Sequence, residues 1–366
     1  MNEGAELVLN GLAKSFGAVA AVQGVSLAVQ RGEFVSLLGP SGCGKTTTLR
    51  MIAGFLMPDA GQVLLRGRDI TALPPYRRDV GLLFQNYALF PHMTVRGNIG
   101  FGPRMQRRGR REIGDRVRWA LDLVQMGGFA ERFPHELSGG QQQRVAIARV
   151  LAAGASMLLL DEPFSNLDAR LRSRMQEEVR ELQLRLGIAT MHVTHDQDEA
   201  MAMSDRIVIM NAGRVEQIGA PAAVYGAPAS VFVAEFMGRC NRLEGVVSRA
   251  PCGLGWNLAL GEAGQVPLGN AIADPRPGAR IAVFIRPEHL RLAPAGATQG
   301  AGVLRGEVRR VVYLGSRSAA YVTLAGNTGL LVHLPNDPGS EGPGELTGPV
   351  DIQPLPGAVM MVAAGS

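Results

Sequence analysis

The chain of 366 residues is poor in cysteine and in long apolar runs. These two features argue against a disulfide-rich protein and against a membrane-spanning protein. Its cysteines, Cys43, Cys240 and Cys252, show no metal-ligand spacing and predict no disulfide framework, so a reducing compartment is expected. No apolar run approaches the roughly 18 residues that span a bilayer. The first residues lack the basic and apolar regions of a signal peptide. We therefore expect a soluble, cytoplasmic protein that reaches a membrane only through a partner.

Charge is close to balanced, with 37 lysines and arginines against 32 acidic residues, and the protein is mildly basic. This excess suits anionic ligands without indicating nucleic acid. The chain length allows two or three domains. One segment is rich in arginine, and we interpret it as the solvated face of a helix. Its members are Arg104, Arg107, Arg108, Arg110, Arg111, Arg116 and Arg118.

A glycine-rich turn carries the clearest functional pattern of the chain. The pattern G-x-x-x-x-G-K-[ST] is filled by Gly39, Pro40, Ser41, Gly42, Cys43, Gly44, Lys45 and Thr46, with Thr47 following. An apolar run at 34–38 predicts a buried strand before it, and 47–53 predicts a helix after it. Backbone N–H groups would surround phosphates, Lys45 would bind the β- and γ-phosphates, and the Thr46 hydroxyl would ligate Mg²⁺. A chance lysine in a glycine-rich turn would not account for these flanks.

Two carboxylates follow a second apolar strand, predicted at residues 157–160. Asp161 is placed to join the Mg²⁺ shell, as the second acidic element of nucleotide sites does. Glu162, one residue later, is a candidate general base that would polarise an attacking water. A solvent-facing acidic pair is the alternative for these two residues alone, and the phosphate loop argues against it.

A second glycine-rich helix start is formed by Ser138, Gly139, Gly140 and Gln141. Its hydroxyl and backbone N–H groups would make another anion cradle, although a plain helix cap explains the residues equally well in isolation. One chain then carries two different phosphate-facing surfaces. A two-fold dimer would hold a nucleotide between the loop of one subunit and the second cradle of its partner.

Strands alternate with helices up to about residue 235, which predicts a mostly parallel sheet with functional residues at the strand ends. Residues 95–155 predict an inserted helical layer. After about Gly238, short β-branched runs separated by Gly and Pro predict a small all-β barrel or sandwich. Residues 336–344 are rich in Gly and Pro and predict a flexible loop.

Together these motifs resemble the nucleotide-binding subunit of an ATP-binding cassette (ABC) transporter. Residues 137–141 resemble the family signature, Gln85 the Q-loop, and 165–168 the D-loop, which ends at Asp168. His195 resembles the switch histidine that contacts the γ-phosphate. Phe16 occupies the place of an aromatic that stacks on adenine, and a core aromatic is the alternative for it. The resemblance implies an α/β P-loop NTPase fold with a helical subdomain.

The C-terminal part resembles the TOBE domain of importer ATPases, an all-β, OB-like domain. Residues 236–241 resemble the junction, and 285–290 and 313–316 resemble elements of that domain. We therefore predict an ATP-binding domain over 1–238, with its helical subdomain at about 95–155, and a TOBE-like domain over 239–366.

The resemblance implies an ATPase subunit that energises solute import. Its implied catalytic residues are Glu162, His195 and Gln85, with ATP and Mg²⁺ as cofactors and Thr46, Gln85 and Asp161 around the metal. Its implied partners are a second copy, integral-membrane permease subunits and, indirectly, a periplasmic or lipoprotein solute-binding protein, with no nucleic acid expected. The implied location is the cytoplasmic face of the cell membrane.

The solute is a matter of pattern resemblance alone. Residues 74–78 and 85–92 resemble importers of the spermidine/putrescine, iron(III) and sugar groups, and among these we favour polyamines. A soluble ABC ATPase acting on nucleic acid would need aromatics interleaved with basic residues, and the C-terminal part has few. A P-loop kinase would leave the cradle at Ser138 unexplained.

Overall fold

The computed structural model describes residues 4–250, 255–269, 276–298, 302–336 and 347–362, which form two compact units. They divide between Ala222 and Ala223, earlier than the sequence-predicted bound at 238/239. The reason lies in Arg286, whose buried guanidinium donates hydrogen bonds to carbonyls of residues 225, 234 and 238. These contacts bind the intervening segment to the second unit. Within the described residues, no helix is both long and apolar enough to cross a membrane.

The first unit alternates strands and helices. Its strands are β1 (Ala5–Phe16), β2 (Val19–Gln30), β3 (Phe34–Leu38), β4 (Ala60–Leu65), β5 (Arg68–Asp69), β6 (Val80–Leu83), β7 (Met157–Asp161), β8 (Ala189–Thr194), β9 (Arg206–Asn211) and β10 (Arg214–Gly219). Its helices are α1 (Lys45–Ala53), α2 (Val95–Ile99), α3 (Phe101–Met105), α4 (Arg110–Leu123), α5 (Gly139–Ala152), α6 (Ala169–Leu186) and α7 (Gln197–Met203), and α8 (Pro221–Gly226) lies at the division.

A six-stranded sheet in the order β10-β9-β3-β8-β7-β6 forms the centre of this unit. All its pairings are parallel except that of β10, which confirms the mostly parallel sheet. Strand β3 is buried at every residue, as expected for a parallel strand that is covered on both faces. The order places β3, β8 and β7 side by side, so their carboxyl ends share one edge. A second sheet, β2-β1-β4-β5, is antiparallel.

Helices α2 to α5 form the helical layer expected within 95–155. The apolar stripe of α4 is buried at Val117, Ala120 and Leu121 and joins a core to which α5 contributes Val145 and Ile147. Three arginines of α4, Arg110, Arg111 and Arg118, are exposed, as predicted for a solvated face. Arg116 of the same helix is half-buried and donates to the Ala152 carbonyl at 3.1 Å, so the prediction is wrong for this residue.

The second unit is built from two five-stranded antiparallel sheets, β13-β12-β11-β14-β20 and β15-β19-β16-β17-β18. Side chains of both sheets share one apolar core, which confirms the all-β prediction. Its elements are α9 (Val231–Phe236), β11 (Asn241–Arg249), β12 (Trp256–Ala259), β13 (Gln265–Pro267), β14 (Arg280–Ile285), β15 (Leu290–Pro294), β16 (Leu304–Tyr313), β17 (Arg317–Leu324), β18 (Gly329–Pro335), β19 (Gly348–Pro354) and β20 (Val359–Met361). The predicted loop at 336–344 lies outside the described residues from position 337 onward.

Candidate nucleotide site

The turn between β3 and α1 forms a backbone cradle that requires glycine at two positions. Gly44 has a φ of 102°, and a Cβ there would lie 2.4 Å from the carbonyl oxygen of Ala21. At Gly39 a Cβ would lie 2.2 Å from the carbonyl oxygen of Met210. Because α1 begins at Lys45, the unpaired N–H groups of its first turn face this loop. The arrangement fits an anion bound by backbone amides.

Lys45 lies beneath the loop and is only 5% exposed. Its Nζ donates to the carbonyl oxygens of Gly39 at 2.7 Å and Pro40 at 2.9 Å. Neutral carbonyls compensate a buried ammonium only in part, whereas phosphate oxygens would compensate its charge as well. Cys43 is buried beside it, and burial raises the pKa of its thiol. The site therefore holds a buried ammonium beside the backbone cradle, which suits an anionic ligand.

Thr46 and Asp161 meet where α1 approaches the end of β7. The Thr46 hydroxyl donates to Asp161 Oδ1 at 3.3 Å. Burial raises the pKa of Asp161, although Arg50 and Thr46 oppose that shift. A hydroxyl and a carboxylate are oxygen ligands that suit Mg²⁺. No cluster of three or more His, Cys, Asp or Glu side chains within the described ranges is placed to hold a metal. A cation here would take its remaining ligands from phosphate and water.

Glu162 and His195 follow β7 and β8 and face each other. Their Oε1 and Nδ1 atoms are 3.4 Å apart, with the side chains 26% and 59% exposed. Glu162 has a φ of 47°, which a non-glycine residue adopts only where its surroundings enforce it. Its N–H donates to the Val193 carbonyl at 3.0 Å, and its own carbonyl accepts from the Ser165 hydroxyl at 3.0 Å. These bonds hold the carboxylate at the strand edge beside His195.

Gln85 contacts the predicted D-loop rather than Thr46 or Asp161. Its side-chain Nε2 donates to Ser165 Oγ at 3.1 Å, and its backbone carbonyl accepts from Asn166 Nδ2 at 3.1 Å. Its proposed contact with a metal ion therefore stays a prediction.

The second cradle lies at the start of α5. Ser138 is exposed at the N-cap position of the helix, and its N–H donates to Gln141 Oε1 at 2.9 Å. A Cβ at Gly140 would lie 3.2 Å from side-chain atoms of Leu171 and Met175. Close packing against α6 is therefore a structural reason for this glycine, alongside the predicted anion cradle.

Asp168 and Phe16 occupy distinct surroundings. Asp168 caps α6, and its Oδ1 accepts from the Leu171 N–H at 2.9 Å, a structural role that the sequence reasoning missed. Phe16 ends β1 with 52% of its surface exposed, so the core alternative for this ring is wrong. An exposed ring fits stacking on a base, which stays a prediction.

Arg149 of α5 is a further residue that the sequence reasoning missed. It donates to the carbonyls of Tyr87 at 2.9 Å and Ala88 at 2.7 Å. Both residues have a positive φ, so the side chain holds the unusual backbone that follows Gln85. Nothing in the spacing of the sequence indicates this contact, because Arg149 and residue 88 are far apart in the chain.

Comparisons with known proteins identify the family of each part of the chain. Residues 22–165 match the family described as ABC transporter, and residues 283–359 match the TOBE domain. The spermidine/putrescine import ATP-binding protein PotA of Acidothermus cellulolyticus is 48% identical over 341 residues, covering 93% of this chain and 86% of that protein. The sulfate/thiosulfate import ATP-binding protein CysA 2 of Chromobacterium violaceum is 46% identical over 328 residues, covering 89% and 86%.

A solved structure gives the same result for the fold. It is cbiO1 from Clostridium perfringens, part of the ABC transporter complex cbiONQ, with a TM-score of 0.56 and 31% identity. The similarity covers 60% of this chain and 90% of that one. The chain therefore belongs to the ABC transporter family, as an ATP-hydrolysing subunit of the import type with a C-terminal TOBE domain.

Proposed function

We propose that the chain hydrolyses ATP·Mg²⁺ between two copies of itself to energise polyamine import. The observation that carries the hydrolytic part is the 3.4 Å contact between His195 Nδ1 and Glu162 Oε1, at the sheet edge that also bears the phosphate loop. The polyamine part rests on relatives that are named for spermidine and putrescine import at 48% identity.

The residues divide the reaction among them. The loop amides and Lys45 bind the ATP phosphates, and Mg²⁺ held by Thr46 and Asp161 would neutralise charge on the β- and γ-phosphates. Glu162 accepts a proton from water as the water oxygen bonds to the γ-phosphorus. The bond from that phosphorus to the bridging oxygen breaks, and ADP leaves with the electron pair. His195 contacts the γ-phosphate and orients Glu162.

The partners follow from the same proposal. The exposed Ser138 and the glycines after it face the phosphates bound by the other copy, and Phe16 stacks on adenine. Permease subunits dock near Gln85, and a solute-binding protein delivers the solute to them from outside. The ATPase then works at the cytoplasmic face of the membrane, and no nucleic acid takes part.

Replacement of Glu162 tests the hydrolytic assignment. Glu162→Gln keeps the side-chain volume and removes the base, so phosphate release should fall by at least about 100-fold while ATP affinity is retained. Glu131→Gln, at an exposed carboxylate paired with Arg96, is the matched control and should keep the wild-type rate. Hydrolysis by Glu162→Gln at the control rate would refute the assignment.

Sulfate is a second candidate solute, because a sulfate/thiosulfate relative reaches 46% identity. The test is ATP hydrolysis by the chain reconstituted with the permease subunits that copurify with it. Putrescine or spermidine with the cognate binding protein should stimulate hydrolysis, and sulfate, iron(III) or maltose should not. Stimulation by one of these other solutes alone would overturn the polyamine assignment and leave the ATPase assignment intact.

A further inference from the structure

One buried carboxylate ties together the residues on either side of His195. Glu199, in the first turn of α7, is only 4% exposed. Its Oε2 accepts from the Thr194 hydroxyl at 2.7 Å, and the same hydroxyl accepts from the Asp196 N–H at 3.0 Å. The N–H of Glu199 in turn donates to Asp196 Oδ1 at 3.1 Å. The backbone that carries His195 is therefore bound both before and after that residue.

A second buried group backs this carboxylate from the core of the sheet. His192 is fully buried, and burial lowers the pKa of its imidazole to about 3, so the ring is neutral. The Ser204 hydroxyl donates to Ser36 Oγ at 2.6 Å, and Ser36 Oγ lies 3.1 Å from His192 Nδ1. The other ring nitrogen, Nε2, lies 3.7 Å from Glu199 Oε2, beyond hydrogen-bond distance. The Glu199 carboxylate therefore lies between the His192 ring on the side of the sheet and the Thr194 hydroxyl on the side of the loop.

Arg172 connects the same loop to α6. Its Nη1 lies 3.6 Å from Asp196 Oδ2, and its Nε lies 3.9 Å from Glu199 Oε1. Its Nη2 donates to the Leu167 carbonyl at 3.1 Å, just before the Asp168 cap. The guanidinium therefore lies between the loop of His195 and the predicted D-loop.

We propose that Thr194 and Glu199 are positioning residues that hold His195 against Glu162. The His195 side chain is 59% exposed and has little packing to fix its direction. Its direction therefore depends on the hydrogen bonds that fix the backbone on either side of it. Within the described part of the chain, neither side chain has a hydrogen bond to the phosphate loop or to the Glu162 carboxylate. The inference rests on the proposed role of His195 in hydrolysis.

Valine in place of threonine at two positions of β8 provides the test. Thr194→Val keeps the shape and removes the bridging hydroxyl, so kcat for ATP should fall about 10- to 100-fold while KM stays within about threefold. Thr190→Val is the matched control, because Thr190 is buried in the same strand and, among the residues that the structure describes, its hydroxyl reaches only the Ile188 carbonyl, at 3.5 Å. It should keep kcat within about twofold. Thr194→Ser restores the hydroxyl and should recover most of the rate.

The carboxylate is tested in parallel. Glu199→Gln retains an acceptor for the Thr194 hydroxyl and should lose less kcat than Glu199→Ala, which removes it. Equal kcat for Thr194→Val and Thr190→Val, or a full rate in Glu199→Ala, would overturn the inference. If Thr194→Val does not fold, the comparison of Glu199→Gln with Glu199→Ala decides.

His195→Ala separates this inference from the proposed function. A large loss of kcat in His195→Ala with full activity in Thr194→Val refutes the positioning role and leaves the proposed function standing. Full activity in His195→Ala refutes the assigned role of His195 and the inference with it. Losses in both, with Thr190→Val active, support both.

Discussion

Arg286 offers a quantitative test of what holds the C-terminal unit together. Its fully buried guanidinium donates to the carbonyls of Ala234 at 2.8 Å, Gly238 at 3.0 Å, Tyr225 at 3.1 Å and Arg239 at 3.4 Å. The guanidinium carbon also lies 4.1 Å from the centre of the Tyr225 ring. Arg286→Met keeps an unbranched chain of similar length and removes every one of these donors.

The expected loss follows from the number and burial of these bonds. A hydrogen bond from a charged donor contributes about 1.5 to 3 kcal/mol, and three of the four hydrogen bonds, to Gly238, Arg239 and Tyr225, are only partly buried. Removing a buried charge also removes its desolvation cost, which offsets part of the loss. We expect a net decrease of about 3 kcal/mol in the free energy of unfolding of this unit. For a unit of this size, that corresponds to a decrease in Tm of about 10 °C.

Tryptophan fluorescence can follow this unit alone. The chain has two tryptophans, Trp119 in α4 and Trp256 in β12. In a Trp119→Phe background, Trp256 reports only on the C-terminal unit during thermal unfolding. Arg291→Met, at an exposed arginine of β15, is the matched control. A Trp256 transition for Arg286→Met within about 2 °C of that control would refute the reasoning.

Three further predictions concern the ATP-binding unit. Gly44→Ala places a Cβ 2.4 Å from a backbone carbonyl at a φ of 102°. The Kd for ATP, measured by equilibrium dialysis, should therefore rise at least about tenfold. Gly109→Ala is the control and should leave the Kd unchanged, because a Cβ at Gly109 would lie in open space. Asp168→Ala removes the α6 cap and should lower the free energy of unfolding by about 1 kcal/mol in urea, and a larger loss from the conservative Asp168→Asn would contradict this. His192 has a pKa of 6.5 when unfolded and about 3 when folded, so the unfolded chain binds more protons between these values. Stability should therefore fall as pH drops below about 6.5, by up to about 1.4 kcal/mol per pH unit, and His192→Asn should flatten that slope in urea titrations at about pH 5 and about pH 7.

Local patterns predicted much of the first unit because its strands are apolar throughout. The runs at 34–38 and 157–160 lie in β3 and β7, where parallel pairing buries both faces. The hairpin turn at 211–214 joins β9 to β10, and its central residues have positive φ. The predicted helix start at Ser138 is confirmed, because Ser138 is the N-cap residue of α5.

Other strands could not be predicted in full, because their pairing is irregular or because they are very short. β1 and β2 are 12 residues each, and no regular sequence pattern marks their full length. Register shifts, including one between Leu9 and Leu12, interrupt the alternation that marks a strand. In the C-terminal unit, β13 and β20 have three residues each, too few to show a period.

Some residues of the candidate site are also predictable from local sequence, and others are not. The phosphate loop and the carboxylates after β7 are contiguous motifs, so their spacing alone indicates their chemistry. The contacts of Gln85 with Ser165, of Arg149 with residue 88 and of Glu199 with Thr194 depend on which chain segments the fold brings together. At Glu199 the acid three residues after the Asp196 cap suggests a capping box, yet its side chain bonds Thr194 instead.

The most direct test of the central claim mixes two inactive variants. If ATP is hydrolysed between two copies, each site uses Lys45 from one chain and Ser138 from the other. Lys45→Ala and Ser138→Phe should each be inactive alone, because every site in either homodimer is damaged. An equimolar mixture should recover about a quarter of the wild-type rate of phosphate release, since half of the dimers are mixed and each has one intact site. A mixture as inactive as its components would contradict the shared site.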